Sequence, residues 1–309
     1  TLTVSAADSI TIADYVLHSG DDSKFGFPSN DNFKIRLAGN DEFTISASAA
    51  VFNTTLAATS FNGIPFYTGD TASIYTHDVS SSESTALRNT GYGTTALAAI
   101  TNGDDNTGIG NAAGALILTA KQNTLIGSYA GDALTSGSDN VAVGYRALSG
   151  EDGNGRNVAI GSDALKVQNA GTDAYNVAIG YNAGIAVTTG GNNTLIGGLA
   201  GDALTEGNSN TALGYFALSS ETLGDRNVAI GQSALKLQNN TSDVDAYNTA
   251  VGFEAGKNVS TGVQNTLIGA LAGDALTTGD RNTALGTYAL STEDTGSRST
   301  AIGWYSLLM

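Results

Sequence analysis

From Asn89 onward the chain repeats one phrase thirteen times, Asn-(Thr/Val)-x-(Ile/Val/Leu)-Gly. Its glycines fall at Gly93, Gly110, Gly127, Gly144, Gly161, Gly180, Gly197, Gly214, Gly231, Gly252, Gly269, Gly286 and Gly303. Every step is 17 residues except one of 19 and one of 21. A period of that length predicts stacked coils, in which each repeat contacts only its neighbours, rather than a domain wrapped around one central core. The expected fold is therefore all-β: a parallel β-roll or β-solenoid of about thirteen coils.

Counted from its Asn, the repeat constrains individual positions. Position 1 is Asn in every copy but the last, where Ser299 stands. Position 2 is Thr or Val, position 4 is apolar, and position 3 is Ala, Gly or Leu. The pairs Asn123 and Gly127, Asn140 and Gly144, Asn157 and Gly161, Asn176 and Gly180, and Asn193 and Gly197 bracket representative copies and are predicted to be structural. Side chains alternate across a strand, so positions 2 and 4 share a face and positions 3 and 5 the other. Hydrophobicity predicts that positions 2 and 4 join positions 8 and 9 inside the coil.

Position 8 is Ala throughout, save Ser306. Position 9 alternates in pairs of Leu and Gly, for example Gly114 and Gly131, then Leu148 and Leu165. A four-coil block is thus written over the 17-residue unit, and its copies begin alike at Asn123, Asn193 and Asn265. A 17-residue coil has a perimeter of at most about 56 Å at roughly 3.3 Å per residue. So small a coil encloses only a thin line of side chains, which is marginal for a free-standing rod. Mutual covering in a homotrimer is the expected remedy, giving a body on the order of 60 Å long at about 4.8 Å per coil.

The first 88 residues read differently. Residues 1–50 alternate as a small β module, with S-I-T-I at Ser9, F-K-I-R-L at Phe33 and E-F-T-I at Glu42. Residues 51–88 are Ser- and Thr-rich and are expected to connect this module to the repeat region, 89–309.

Composition narrows function by exclusion. The net charge is −16, which repels phosphate backbones and argues against nucleic acid as a partner. Absence of Cys removes thiol nucleophiles, disulfides and thiolate metal sites. No apolar run is long enough to cross a bilayer, so membrane insertion is not expected.

The stretch from Ile12 to Ile45 and the repeats, such as N-V-A-I-G-Y-N-A-G at Asn176, together resemble tail-fibre proteins of bacteriophages, particularly of aquatic phages. The repeat phrase is also similar to the head repeat of trimeric autotransporter adhesins, which are trimeric left-handed parallel β-rolls. The resemblance spans nearly the whole chain and implies a homotrimeric structural protein of the virion that joins other tail proteins. The alternative it leaves is a bacterial surface adhesin or extracellular filament. Because fibres and adhesins share the repeat, it speaks for architecture more than for function.

Catalytic, metal and cofactor chemistry finds little footing, and none of the three is expected. His18 and His77, the two histidines, lie in turn-like segments outside the repeats. Asp132, Asp202 and Asp274 recur at one repeat position, and Glu151, Glu221 and Glu293 at another. Paired carboxylates would suit a glycan-degrading spike, a remote third reading, but residues that obey a repeat are more economically structural. Gly103–Asn106 and Asp243–Asp245 lack the ligand count of a calcium loop.

Two departures from the period carry the site prediction. The coils starting at Asn157 and Asn227 hold the extra residues, within Lys166–Tyr175 and Lys236–Tyr247. Insertions in solenoids map to loops, often on a binding face. Gln168, Asn169, Asp173 and Tyr175, with Gln238, Asn239, Asp243, Asp245 and Tyr247, are the candidate surface-contact residues. Tyr beside Asn, Gln and Asp suits a host-surface glycan or protein; the alternative is an insertion tolerated without a ligand.

Overall fold

The computed structural model describes residues 85–307 in full and, before them, the backbone of seven short strands. Contacts divide the chain into two units, residues 1–57 and 58–309. In the first, β1 (Tyr15–Leu17), β2 (Lys24–Gly26), β3 (Lys34–Leu37) and β4 (Asn40–Asp41) pair antiparallel in that order. The predicted strands at Ser9 and Glu42 lie outside the described residues, as do His18 and His77. So does most of the predicted connector.

In the second unit β5 (Ser60–Phe61) pairs antiparallel with β6 (Ile64–Pro65), and β7 (Ile74–Tyr75) pairs parallel with β8 (Thr90–Tyr92). One sheet strand thus precedes the expected start of the array. The array itself follows as β9 (Thr107–Ile109), β10 (Thr124–Ile126), β11 (Val141–Val143), β12 (Val158–Ile160), β13 (Val177–Ile179) and β14 (Thr194–Ile196). It continues as β15 (Thr211–Leu213), β16 (Val228–Ile230), β17 (Thr249–Val251), β18 (Thr266–Ile268), β19 (Thr283–Leu285) and β20 (Thr300–Ile302). Strands β7 to β20 form one sheet in strict chain order. The pairings within the array are parallel and keep repeat position against repeat position. Even across the lengthened coils Val158 faces Val177 and Val228 faces Thr249, so the extra residues loop out without shifting register. The described residues contain no helix. The protein is a β-solenoid.

The inward face is the opposite of the one hydrophobicity predicts. Position 3 is buried in every strand of the array, while positions 2 and 4 are half-buried or exposed. The cause is the Asn at position 1. Its side chain is fully buried, so the alternation of the strand turns position 3 inward with it. The core is consequently built from positions 3, 8, 9 and 12, as Leu125, Ala130 and Leu134 illustrate.

Burying an amide in each coil costs little only where its polar atoms are hydrogen-bonded. Asn106 donates its backbone N–H to Oδ1 of Asn89 at 2.8 Å, Asn193 to Asn176 at 2.7 Å, and Ser299 still donates to Asn282 at 2.9 Å. Most of these amides also donate Nδ2 to a carbonyl fourteen residues on, as Asn193 does to Gly207 at 2.8 Å. The phrase closes on a Gly because its backbone lies at positive φ, +134° at Gly197, where a Cβ would meet the Gly214 carbonyl oxygen at 2.5 Å.

The four-coil block is a packing rule. Leu195 fills the space left by two glycines: a Cβ on either Gly184 or Gly201 would come within 2.8 Å of its methyls. Leu125 sits likewise between Gly114 and Gly131, and Leu267 between Gly256 and Gly273. Where position 9 is Leu in the coils from Asn140 on, position 12 turns polar, giving Glu151, Gln168, Glu221, Gln238 and Glu293. The first four of these are fully buried.

Candidate surface-contact loops

Each lengthened coil leaves the stack after position 13, where Asn169 and Asn239 still donate their N–H groups to Thr188 and Ser260, and is back before the next Asn, where the Ala174 and Ala246 carbonyls accept from Asn192 and Gln264. The return is pinned by the coil below. In the first loop Gly155 donates its N–H to Oδ1 of Asp173 at 3.0 Å; in the second Asp225 and Asp245 form a parallel bridge. The tip at Gly171 has φ +72° and open space around its Cα.

Asp173 and Tyr175 converge on Arg156. The guanidinium donates to Asp173 Oδ2 and, at 3.1 Å, to the Tyr175 hydroxyl, and it lies 5.6 Å from the Tyr175 ring centre. Asp245 and Tyr247 converge in the same way on Arg226, which pairs with Asp245 and also lies 5.6 Å from its tyrosine ring. Tyr247 donates its hydroxyl to Asp245 Oδ2 at 3.2 Å. Two Arg–Asp–Tyr clusters therefore sit at equivalent places in successive blocks, about 19 Å apart along the stack at the usual strand spacing. The pairs are half-exposed, so each stabilises by no more than about 1 kcal/mol; their effect is to hold the tyrosines in place. Tyr175 and Tyr247 remain about half exposed, and Asn169, Asn239 and Asp243 are exposed.

Gln168 and Gln238 do not belong to this surface. Both are fully buried. In these coils the residue fourteen after the Asn, Gly171 or Thr241, is exposed in the loop. Asn157 Nδ2 is thereby left buried without a partner, Asn227 Nδ2 donates to Asn210 Oδ1 at 3.1 Å, and the glutamine amides enter the ladder beside them. Gln168 donates to Asn157 Oδ1 and accepts from Asn176 Nδ2, both at 3.1 Å. Gln238 accepts from Asn248 Nδ2 at 3.0 Å. Conversely, sequence alone gives no sign of Arg156 and Arg226, because each lies 17 to 21 residues from its loop partners and meets them only through the stacking.

The recurring carboxylates divide by location. Glu151 and Glu221 point into the core. Asp132, Asp202 and Asp274 are half-buried at the outer turn, each with an Oδ1 that has no hydrogen-bond partner, and burial pushes all three above the usual carboxylate range. Among the described residues no group of three or more acidic or His side chains is placed to hold a metal ion. The loop clusters offer aromatic faces and hydrogen-bonding groups, an arrangement suited to contact.

Comparison with protein-family models, with curated proteins and with solved structures returns no match in any of the three.

Proposed function

We propose that this chain is a non-enzymatic structural segment of a bacteriophage tail fibre, a homotrimeric shaft that spaces other tail proteins and meets the host surface through its loops. The observation that carries the reading is the outer face of the sheet. Position 4 contributes a row of apolar side chains along the array, with Ile109, Ile126, Leu213, Ile268, Leu285 and Ile302 each at least 38% exposed. A continuous apolar row on so slender a core is a surface that asks for cover. Sister chains in the same register supply it along the full length, as closed symmetry requires.

The loops then project at repeated heights from every copy, which multiplies weak contacts with a cell-surface glycan or protein. Mass in solution is the first test: a species three times the 31.2 kDa chain supports the assembly, and a stable monomer overturns it. Immunogold labelling then separates virion from cell: gold on phage tails supports the fibre, and gold on the bacterial surface alone assigns the chain to the adhesin class. Deleting both loops is expected to weaken adsorption while leaving the mass unchanged.

A further inference from the structure

One groove in the first block differs from its counterparts. It is an open groove of about 460 Å³ lined by Tyr129, Asp132, Tyr145, Arg146 and Ser149. That volume lies within the range of small-ligand sites. The lining comes from the outer turns of two adjacent coils. Asp132 and Ser149 obey the repeat, matching Asp202 with Ser219 and Asp274 with Ser291. Tyr129 and Arg146 do not: the later blocks have Leu199 with Phe216 and Leu271 with Tyr288 at those positions.

The departures assemble a polar, aromatic-walled site. Tyr129 and Tyr145 stand edge to face with ring centres 6.4 Å apart, and Arg146 lies 5.8 Å from the Tyr145 ring. Arg146 also reaches Asp163 at 3.9 Å. Asp132 brings a carboxylate to the groove and Arg146 a guanidinium. An anion is repelled by the first and a cation by the second, whereas hydroxyl groups can donate to the carboxylate and accept from the guanidinium and Ser149. Ring faces with apolar C–H patches suit the tyrosines.

We propose that this groove binds a neutral saccharide. It is distinct from the two loop clusters and does not depend on them. The test is saturation-transfer NMR on the whole chain with methyl glycosides of glucose, galactose and mannose and with maltotriose. Glucuronate and tetramethylammonium serve as charged probes. At least one neutral sugar is expected to receive saturation. Tyr129→Leu and Arg146→Phe should each weaken that binding about ten-fold, while deletion of both loops leaves it intact. Both substitutions install residues that the array already carries at the same positive φ, Leu199 at 57° and Phe216 at 57°, so folding is preserved. Absence of transfer to every neutral sugar, transfer unchanged in both variants, or preference for either charged probe would overturn the assignment.

Discussion

Gln238 donates Nε2 to Oε2 of Glu221 at 2.9 Å inside the solenoid, and the same carboxylate accepts from Asn240 Nδ2 at 3.0 Å. Its other oxygen accepts the backbone N–H groups of Thr222, Leu223, Gly224 and Asn240 at 2.8 to 3.2 Å. Glu151, one block earlier, accepts on Oε1 from the backbone N–H and Nδ2 of Asn154, with the Gly153 N–H also directed at the carboxylate, and its Oε2 is buried without a partner. The difference traces to the loops: Asn240 has no counterpart in the shorter one, where Ala170 follows Asn169.

Identical substitutions at these two sites should therefore act in opposite directions. Glu221→Gln places an amide N–H₂ against donors and is expected to cost about 2 to 3 kcal/mol. Glu151→Gln removes a buried, half-satisfied carboxylate and is expected to stabilise at neutral pH by about 1 to 2 kcal/mol. Burial raises the Glu151 carboxyl above its usual 4.5. Its contribution is fully present below that unfolded value and is lost as pH rises through the higher folded one. The gain from Glu151→Gln should thus vanish at acidic pH. Thermal unfolding of both variants at pH 4 and pH 7 checks the sign and the window.

The paired glycines make a second prediction, a coupling. Gly184→Ala adds a Cβ within 2.8 Å of Leu195 at φ +58°, and should destabilise by about 1 to 3 kcal/mol from overpacking and backbone strain. Leu195→Ala alone leaves a cavity and should cost about 2 to 5 kcal/mol. Combined, the two changes relieve one another, so the double variant should be more stable than the sum predicts. A double-mutant cycle in urea measures it; simple additivity would remove the interlocking-block account.

If the block is the packing unit, whole blocks are exchangeable and single coils are not. Excising residues 176–247 joins Tyr175 to Asn248 and reproduces the junction that Tyr247 makes natively. Excising residues 193–209 removes Leu195 and sets Gly184 beside a coil carrying Ala212 and Leu218, leaving the glycine gap unfilled. The long excision should melt close to the parent, since stability in solenoids sums over neighbour contacts. The short one should melt well below it, which differential scanning calorimetry would read directly.

The period, the parallel stacking and the four-coil block were all legible in the sequence, because spacing alone carries them. Which face turns inward was not. Ile, Val and Thr at positions 2 and 4 outrank Ala at position 3 on any hydrophobic scale. What decides is a buried Asn whose amide needs its neighbour above and below. Glutamine beside an insertion likewise reads as a surface group, yet Gln168 and Gln238 stand at position 12, which faces the core in lengthened and regular coils alike. The loop tyrosines were visible, but the arginines that hold them lie in the preceding coil, outside any local window.

The same inversion of faces gives the sharpest test of assembly. With positions 2 and 4 outside, charge placed in the exposed row leaves the coil interior untouched. Ile126→Glu with Ile268→Glu introduces two like charges where sister chains are proposed to meet, each about 38% exposed in the single chain. A lone chain tolerates such surface changes within about 0.5 kcal/mol. A covered interface does not, because a buried unpaired carboxylate costs several kcal/mol. The double variant should keep its β-sheet circular dichroism yet sediment as a smaller species. Unchanged mass would mean that the row at position 4 lies outside the contact between chains and that another surface joins them.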